Sequence, residues 1–222
     1  MNYLIDKPDV ETPICGTLIF AHGAGALMDS DYMQTLTAEL NSVGVVVVRF
    51  EFPYMQQRRE TGRKRPPDRQ PILLDCWRSV YEEIFKNKDL CTPILIGGKS
   101  MGGRMASMVA DELGAVGLCC FGYPFHAPGK PEKMRTEHLL SIETPTKIFQ
   151  GTRDPFGKPA ELSDIPFSKA LEIHWLEDGE HDLKPRKKSG LTQLQHLKSV
   201  AVMVAGFAQS LSSIAQSSSS KG

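Results

Sequence analysis

The sequence predicts an α/β protein with a doubly wound, mostly parallel sheet in a three-layer α/β/α arrangement. Short apolar runs without polar alternation, clearest at residues 45–50, are typical of strands that are covered on both faces. Stretches with helical spacing separate these runs, and such alternation is typical of parallel sheets. With 222 residues, the chain has the length of one domain. We predict a single domain over residues 1–209 and a disordered Ser-rich tail over residues 210–222.

The first half of the chain begins with an apolar strand at residues 17–21, which stops at the glycine-rich loop 22–25. A helix follows and ends at Gly44, and residues 45–50 form the next strand. From residue 51 to 71 the periodicity is lost and basic residues accumulate. We therefore predict a long surface loop there.

The second half continues the alternation. Helical spacing resumes at residues 72–85, a strand leads from Pro93 to Ser100, and the next helix starts directly after Ser100. A short helix is expected before Thr144, and a last helix begins near Leu191. The remaining strands are predicted at residues 115–121, 145–150 and 171–176.

The composition excludes several classes of partner. Lys and Arg total 26 and Asp and Glu total 26, so no net field favours nucleic acid or an anionic membrane. Residues 1–8 include Asp6 and Lys7 and have no apolar core of the kind found in a signal peptide. The longest apolar runs, 43–48 and 200–208, are far shorter than the ~20 residues that span a bilayer. We expect a cytoplasmic protein with neither a nucleic-acid nor a membrane partner.

The cysteines argue against a disulfide framework and against a metal site. There are 5 of them, an odd number, and no C-x-x-C pattern occurs. Reduced thiols in the core explain this set best. The adjacent Cys119 and Cys120 are expected to point to opposite faces of a strand.

The most informative stretch is Gly98-Lys99-Ser100-Met101-Gly102, a G-x-S-x-G pattern between a strand and a helix. This pattern suits a strained turn that holds a serine hydroxyl above the end of a strand. A plain Gly/Ser loop is the alternative that the rest of the chain must exclude. A phosphate-binding loop does not fit, because its first glycine would have to stand at Pro93. We interpret Lys99 as a variable residue of the turn.

Three side chains that follow three different strands form a candidate catalytic set. Ser100 is the candidate nucleophile, His181 the base and Asp154 the acid that orients the base. Asp164, Glu177 and Asp178 stay open as alternatives to Asp154. His174 and His196 are rivals of His181, but their positions in a strand and a helix favour packing or surface roles.

Backbone N–H groups are also needed to stabilise an oxyanion. Met101 N–H, at the start of the helix after Ser100, is one candidate. Ala24 N–H, in the loop 22–25, is the other. We expect His22 to order this loop through hydrogen bonds rather than to act in catalysis.

Together, Ser100 in Gly-Lys-Ser-Met-Gly-Gly, the loop 22–25, Gly151-x-x-Asp154 and the late His181 resemble the α/β-hydrolase superfamily. The resemblance is narrower to small lid-less hydrolases near the dienelactone hydrolases, a group that includes the hydrolase-like domain of testis-expressed and chromatin-complex (NSL complex) proteins. It implies an eight-strand-like α/β-hydrolase fold with a shortened N-terminal edge. Serine-based chemistry of this kind requires no metal or organic cofactor. The nucleophile here is Ser100, where dienelactone hydrolases have cysteine, so their substrate class is not implied.

Two functions follow as hypotheses. The first is a serine hydrolase that cleaves a small ester or thioester through an acyl-enzyme. The second is a catalytically weak, hydrolase-like binding or scaffold domain. No insertion long enough for a helical lid separates the strands at 115–121 and 145–150, which favours an open site and a small substrate. A cationic rim from the basic segment 58–69 and residues 184–188 would favour an anionic substrate, and a solvated run of charges is the alternative.

Overall fold

The computed structural model describes the backbone of residues 2–219 and the side chains of residues 2–213. Seven strands form one sheet: β1 (Tyr3–Asp6), β2 (Gly16–Ala21), β3 (Val45–Phe50), β4 (Ile94–Lys99), β5 (Leu118–Phe121), β6 (Thr146–Gly151) and β7 (Leu171–Leu176). The α-helices are α1 (Asp31–Ser42), α2 (Pro53–Thr61), α3 (Gln70–Phe85), α4 (Met101–Val109), α5 (Pro159–Leu162) and α6 (Gln193–Ser219). Short 3₁₀ turns occur at Glu137–Leu140 and Lys187–Ser189.

The sheet has the strand order β1-β3-β2-β4-β5-β6-β7. Only β1 runs antiparallel to its neighbour, and every other pairing is parallel. The four strands from β4 to β7 therefore end at the same edge of the sheet. Ligands of doubly wound folds bind to the loops at this edge. The predicted α/β fold class is confirmed.

Two apolar clusters cover the two faces of the sheet. Trp77 of α3 and Met105 of α4 belong to one cluster, and Leu36 of α1 and Val200 of α6 belong to the other. This is the predicted three-layer arrangement. The strand β5 contributes to both layers, because Cys119 and Cys120 point to opposite clusters, as predicted. Neither forms a disulfide; both are buried free thiols.

The surface loop predicted at residues 51–71 is wrong in its first half, where α2 forms. Pro53 stands in the first turn, and Gly62 closes the helix in the left-handed conformation with φ 67°, a combination that favours a helix between them. Tyr54 and Met55 are buried on its inner side. Its mostly polar sequence hides this helix from a search for apolar periodicity.

The strand β1 was also missed by the sequence analysis, since it is only four residues long. It is held to the sheet by backbone pairing with β3 and by the ion pair between Asp6 and Arg49, with Arg49 Nε 2.9 Å from Asp6 Oδ2. Arg49 itself is buried. An edge strand whose polar residue pairs inward lacks the apolar run on which the prediction depended.

The last helix is longer than predicted. α6 passes residue 210 and continues to Ser219, so the disordered tail does not begin at residue 210. Leu211 packs against the apolar cluster beneath α6, and Ser210 Oγ donates to the Phe207 carbonyl at 2.7 Å. The packing of Leu211 favours continuation of the helix. The part of the predicted tail at 220–222 lies outside the described residues.

Candidate active site

Ser100 occupies the sharp turn between β4 and α4. Its backbone has φ 51° and ψ −118°, a strained conformation for a residue with a side chain. The flanking glycines make the turn possible. A Cβ atom on Gly98 would lie 2.5 Å from the backbone of Gly102, and one on Gly102 would lie 2.5 Å from the His22 carbonyl oxygen. The G-x-S-x-G stretch thus folds as the predicted elbow rather than as a plain loop.

The structure brings Ser100, His181 and Asp154 together. His181 Nε2 lies 2.9 Å from Ser100 Oγ, and His181 Nδ1 lies 2.8 Å from Asp154 Oδ2. A carboxylate accepts, so Nδ1–H donates to Asp154 and leaves Nε2 free to accept the serine proton. Asp154 is fully buried, whereas the His181 side chain is one-fifth exposed. The geometry is that of a nucleophile, a base and an orienting acid.

The Asp154 carboxylate has a donor at each oxygen. Gln150 Nε2 donates to Oδ2 at 2.9 Å, and Phe156 N–H donates to Oδ1 at 2.9 Å. The Phe156 ring also packs against the His181 ring, with 4.3 Å between centroids. The sequence analysis did not identify Gln150 or Phe156, because neither residue type marks a catalytic role by itself. The two hydrogen bonds hold the Asp154 carboxylate in place, and the Phe156 ring covers one face of the His181 ring.

The rival acids lie elsewhere. Asp164 and Glu177 are exposed. The Asp178 carboxylate accepts hydrogen bonds from Arg186 and faces Arg153, and these partners lower its pKa to about 2. Asp178 therefore anchors the loop after β7. Of the sequence candidates for the orienting acid, Asp154 alone bonds to His181 within the described part of the chain.

The rival histidines also have other contacts. His196 is buried, and its Nδ1–H donates to the Leu183 carbonyl at 2.7 Å. His174 Nε2 lies 3.3 Å from Glu172 Oε1 on the outer strand β7. Neither position reaches Ser100. This agrees with the packing roles expected for them.

The loop after β2 lies beside Ser100. His22 is buried; its Nδ1–H donates to the Gly23 carbonyl at 2.7 Å, and its Nε2 accepts from Phe52 N–H at 3.1 Å. Burial lowers the pKa of His22, which favours this neutral form. Ala24 lines the cleft that contains Ser100. Met101 is the first residue of α4, where backbone N–H groups have no partner within the helix.

The cleft above Ser100 has a volume of about 280 Å³. Its walls come from the loop after β2, the elbow and the two loops that carry Phe156 and His181. The segment between β5 and β6 contains only a four-residue 3₁₀ turn, at Glu137–Leu140. No helical lid forms there, as the sequence predicts. The site is open and shallow.

Two residues of the predicted cationic rim are neutralised by internal ion pairs. Arg59 donates to Asp29 at 2.8 Å and to Glu51 at 2.7 Å, and Arg186 binds Asp178. Arg58 differs, because its Nη1 donates to the carbonyl of Gly25, which lines the cleft, at 3.4 Å.

The donor set does not offer a metal site. Within the residues whose side chains are described, no three His, Cys, Asp or Glu side chains converge on a common point. Over the same described chain, no helix is both long and apolar enough to cross a bilayer.

A seven-stranded α/β sheet with a serine elbow, a histidine and a buried carboxylate at its C-terminal edge defines the α/β-hydrolase class. The chain belongs to the α/β-hydrolase domain family, whose model matches residues 15–209. A comparison with curated protein sequences finds no match.

Solved structures share the fold at low sequence identity. An α/β serine hydrolase homologue from Coxiella burnetii has a TM-score of 0.68 at 19% identity, covering 90% of this chain and 89% of that one. A serine hydrolase without a lid from Xanthomonas campestris has a TM-score of 0.64 at 17% identity, covering 94% and 86%. A dienelactone hydrolase from Anabaena variabilis has a TM-score of 0.68 at 17% identity, covering 92% and 88%. The predicted superfamily is confirmed, while the narrower link to chromatin-complex proteins stays a prediction.

Proposed function

We propose that this protein is a serine hydrolase that cleaves a small ester or thioester through an acyl-enzyme. The observation that carries the proposal is the hydrogen-bonded series from Ser100 Oγ through the His181 ring to the buried Asp154 carboxylate, with contacts of 2.9 and 2.8 Å. Membership of the α/β-hydrolase family supports it. The solved relatives described as serine hydrolases support it as well.

The chemistry proceeds in two halves. Ser100 Oγ attacks the carbonyl carbon of the substrate while His181 Nε2 takes the hydroxyl proton, and that proton then passes to the leaving alcohol or thiol. Water repeats the sequence on the acyl-enzyme and releases the acid. Asp154 stabilises the imidazolium in both halves. The N–H groups of Met101 and Ala24 are our candidates for stabilising the oxyanion of each tetrahedral intermediate.

The shape of the cleft supports a small substrate. A volume of about 280 Å³ accommodates a short acyl group, and the absence of a lid over the described residues 122–145 leaves the leaving group in solvent. Long acyl chains would find little apolar surface to cover them. We therefore expect short-chain p-nitrophenyl esters to be turned over faster than esters with long acyl chains.

A fluorophosphonate probe tests the nucleophile directly, because it labels only an activated serine. We expect stoichiometric labelling of the wild type and none of Ser100→Ala. If the folded wild type stays unlabelled and hydrolyses no ester, the chain is instead a binding or scaffold domain. Labelling that survives Ser100→Ala would contradict the assignment of the nucleophile.

The chain provides a matched control in a second serine–histidine contact. Ser107 Oγ lies 2.8 Å from His138 Nε2, but Ser107 is buried within α4 and does not line the cleft. Burial lowers the pKa of His138 to about 4, and this ring is therefore a weak base. We expect Ser107→Ala to be labelled like the wild type, which shows that proximity to a histidine alone does not create the reactivity.

The proposal extends to a modest preference for anionic substrates, supported by the position of Arg58 beside Gly25. Removing this one partly exposed charge near the cleft should lower kcat/KM for an anionic ester by about threefold, since solvent screens such interactions. Arg58→Gln is compared with Arg63→Gln on succinyl and neutral propionyl esters of the same phenol. Arg63 is exposed beyond the end of α2. Equal losses on the two esters would remove the preference from the proposal.

A further inference from the structure

The side chain of Lys99, the residue before the candidate nucleophile, has a set of contacts that the proposed reaction does not use. Lys99 ends β4 and is only 6% exposed. Its Nζ donates to the carbonyl of His181 at 2.8 Å and lies 3.1 Å from Asp182 Oδ1. The Tyr32 ring centroid lies 5.3 Å from the same nitrogen. Every one of these partners is distant in the sequence.

The alternation of β4 explains where the side chain goes. Ile94 and Ile96 pack in the cluster that contains α3 and α4, whereas Leu95 packs in the cluster that contains α1 and α6. Lys99 has the parity of Leu95, so it points to the α1 side, where Tyr32 packs. Ser100 leaves the strand at the elbow and rises into the cleft. Lys99 and Ser100 thus both line the cleft, but Lys99 approaches it from the α1 side.

A buried lysine is costly unless its ammonium is paired. Burial lowers the pKa of Lys99, and the Asp182 carboxylate opposes that shift. An apolar residue would satisfy the packing at this position without such a cost. The lysine is better explained by a specific need for a donor beneath the loop that carries His181.

Gly122, which follows β5, makes room for this contact. Its backbone has φ +64°, and a Cβ atom there would lie 3.0 Å from Lys99 Nζ and 2.5 Å from the His181 carbonyl oxygen. The end of β4, the turn after β5 and the loop after β7 therefore meet at one point. They meet at the backbone carbonyl of His181, the candidate base.

We infer that Lys99 is a positioning residue that fixes the main chain of His181 and so holds the imidazole between Ser100 and Asp154. The inference rests on the proposed function and deepens it. The ring contacts of His181 set its rotation, but they do not anchor its Cα atom.

The other contacts of the loop after β7 hold different residues. Arg153 N–H donates to the Gly179 carbonyl at 2.9 Å, and His196 holds the Leu183 carbonyl. Within the part of the chain whose side chains are described, Lys99 alone bonds to the His181 backbone. The residues beside His181 have their own contacts, since Asp182 N–H donates to Glu180 Oε1 at 3.0 Å and the Asp182 carbonyl accepts from Gln193 Nε2 at 2.7 Å. A displacement of about 1 Å at a catalytic group is enough to cost roughly 100-fold in rate.

Lys99→Met tests the inference, because methionine keeps an unbranched apolar stem and removes the donor. Lys147→Met is the matched control. Lys147 lies in β6, its Nζ is 2.6 Å from Glu172 Oε2, and it lies 5.4 Å from the Phe207 ring centroid, which reproduces the ion pair and the ring contact away from the cleft. We expect Lys99→Met to lower kcat on a short p-nitrophenyl ester by about 10- to 100-fold with KM changed less than about threefold. Lys147→Met should leave both within about twofold.

A second readout does not require turnover. The proton on His181 Nδ1, held between the ring and Asp154, should give a strongly downfield NMR signal in the wild type. We expect that signal to shift or broaden in Lys99→Met and to persist in Lys147→Met. If no variant and no wild type turns over any ester, the proposed function fails, and this signal alone still decides whether Lys99 positions His181.

The inference is overturned if Lys99→Met keeps kcat within about threefold of the wild type. It is also overturned if Lys147→Met loses as much, or if activity falls while the His181 signal is unchanged. Thermal unfolding establishes that each variant is folded. If Lys99→Met does not fold, Lys99→Gln replaces it with the same expectations, since glutamine is polar but one atom too short to keep the contact with the carbonyl.

Discussion

Asp154→Asn is the change for which the contacts around the candidate triad give the most definite expectation. Both oxygens of Asp154 accept hydrogen bonds: Oδ1 from Phe156 N–H, and Oδ2 from Gln150 Nε2 and His181 Nδ1. An asparagine must turn its NH₂ group toward one of these donors. Whichever way it turns, a donor faces a donor in a site with no exposure to solvent.

The less costly orientation keeps the oxygen toward Phe156 and places NH₂ against His181 and Gln150. Gln150 cannot adapt by rotating its amide, because its Oε1 accepts from Tyr123 N–H at 2.6 Å and its Nε2 also donates to the Tyr123 carbonyl at 3.1 Å. His181 must therefore change tautomer, accept at Nδ1 and carry its proton on Nε2. In that form it cannot take the proton of Ser100.

The expected loss follows from this tautomer change. A triad locked in the wrong tautomer loses roughly 10⁴-fold in kcat, or about 5 kcal/mol of transition-state stabilisation. The remaining mismatch at Gln150 should lower the free energy of unfolding by about 1–3 kcal/mol. Steady-state hydrolysis of a short p-nitrophenyl ester measures the first quantity, and urea unfolding measures the second.

Asp164→Asn is the control, because it makes the same chemical change at an exposed aspartate near the end of α5. We expect its kcat to stay within about twofold of the wild type and its stability within about 0.5 kcal/mol. The reasoning is refuted if Asp154→Asn keeps kcat within about tenfold of the wild type while it remains folded. A large loss in Asp164→Asn would also refute it, because the orienting acid would then lie elsewhere.

Two further predictions concern the elbow and a buried histidine. Gly102→Ala places a Cβ atom 2.5 Å from the carbonyl oxygen of His22, so we expect fluorophosphonate labelling to slow more than about 100-fold. Gly206→Ala is the control, because the space around Gly206 is open, and it should be labelled at the wild-type rate. Equal labelling rates of the two variants would contradict the strained elbow. Burial, and then the charge of Arg104, lowers the pKa of His138 from 6.5 to about 4. Between pH 6.5 and about 4 the His138 ring binds more protons in the unfolded chain than in the folded one, so the free energy of unfolding decreases as the pH falls through this range. We expect this decrease to be about 1 kcal/mol larger in the wild type than in His138→Gln, a value reduced for the partial exposure of the ring. If the free energies of unfolding of the two proteins, measured with urea, change equally between those pH values, the prediction about His138 is contradicted.

The strands and the triad were accessible from the sequence for different reasons. Buried parallel strands such as β3 are local apolar runs, so they are visible one window at a time. Ser100, Asp154 and His181 follow three such runs in a fixed order, and a parallel sheet brings the ends of its strands to one edge. Topology therefore converted three distant positions into one site. What could not be obtained were the contacts between loops, such as Gln150 with Asp154 and Phe156 with His181.

The elements that the sequence analysis missed share a weak apolar signal. In α2 only Tyr54 and Met55 are buried, and the helix is marked instead by Pro53 at its start and Gly62 at its end. Termination signals of this kind decide the structure of a polar segment more reliably than periodicity does. At the end of α6 the Ser-rich composition led to a prediction of disorder, but the helix continues there and Leu211 still packs on the core.

Lys99 shows why a residue in the middle of a recognised motif can still be misinterpreted. From the sequence, G-x-S-x-G specifies the residues on either side of the turn and leaves the position before serine free. The structure shows that this position ends the central strand, faces α1, and reaches a carbonyl 82 residues further along the chain. One short stretch thereby contains both the candidate nucleophile and a donor that bonds to the main chain of the candidate base. The spacing between Ser100 and His181 is then set by the rigid end of β4 rather than by the loop after β7 alone, and for that reason we expect the loss in Lys99→Met to appear in kcat and not in KM.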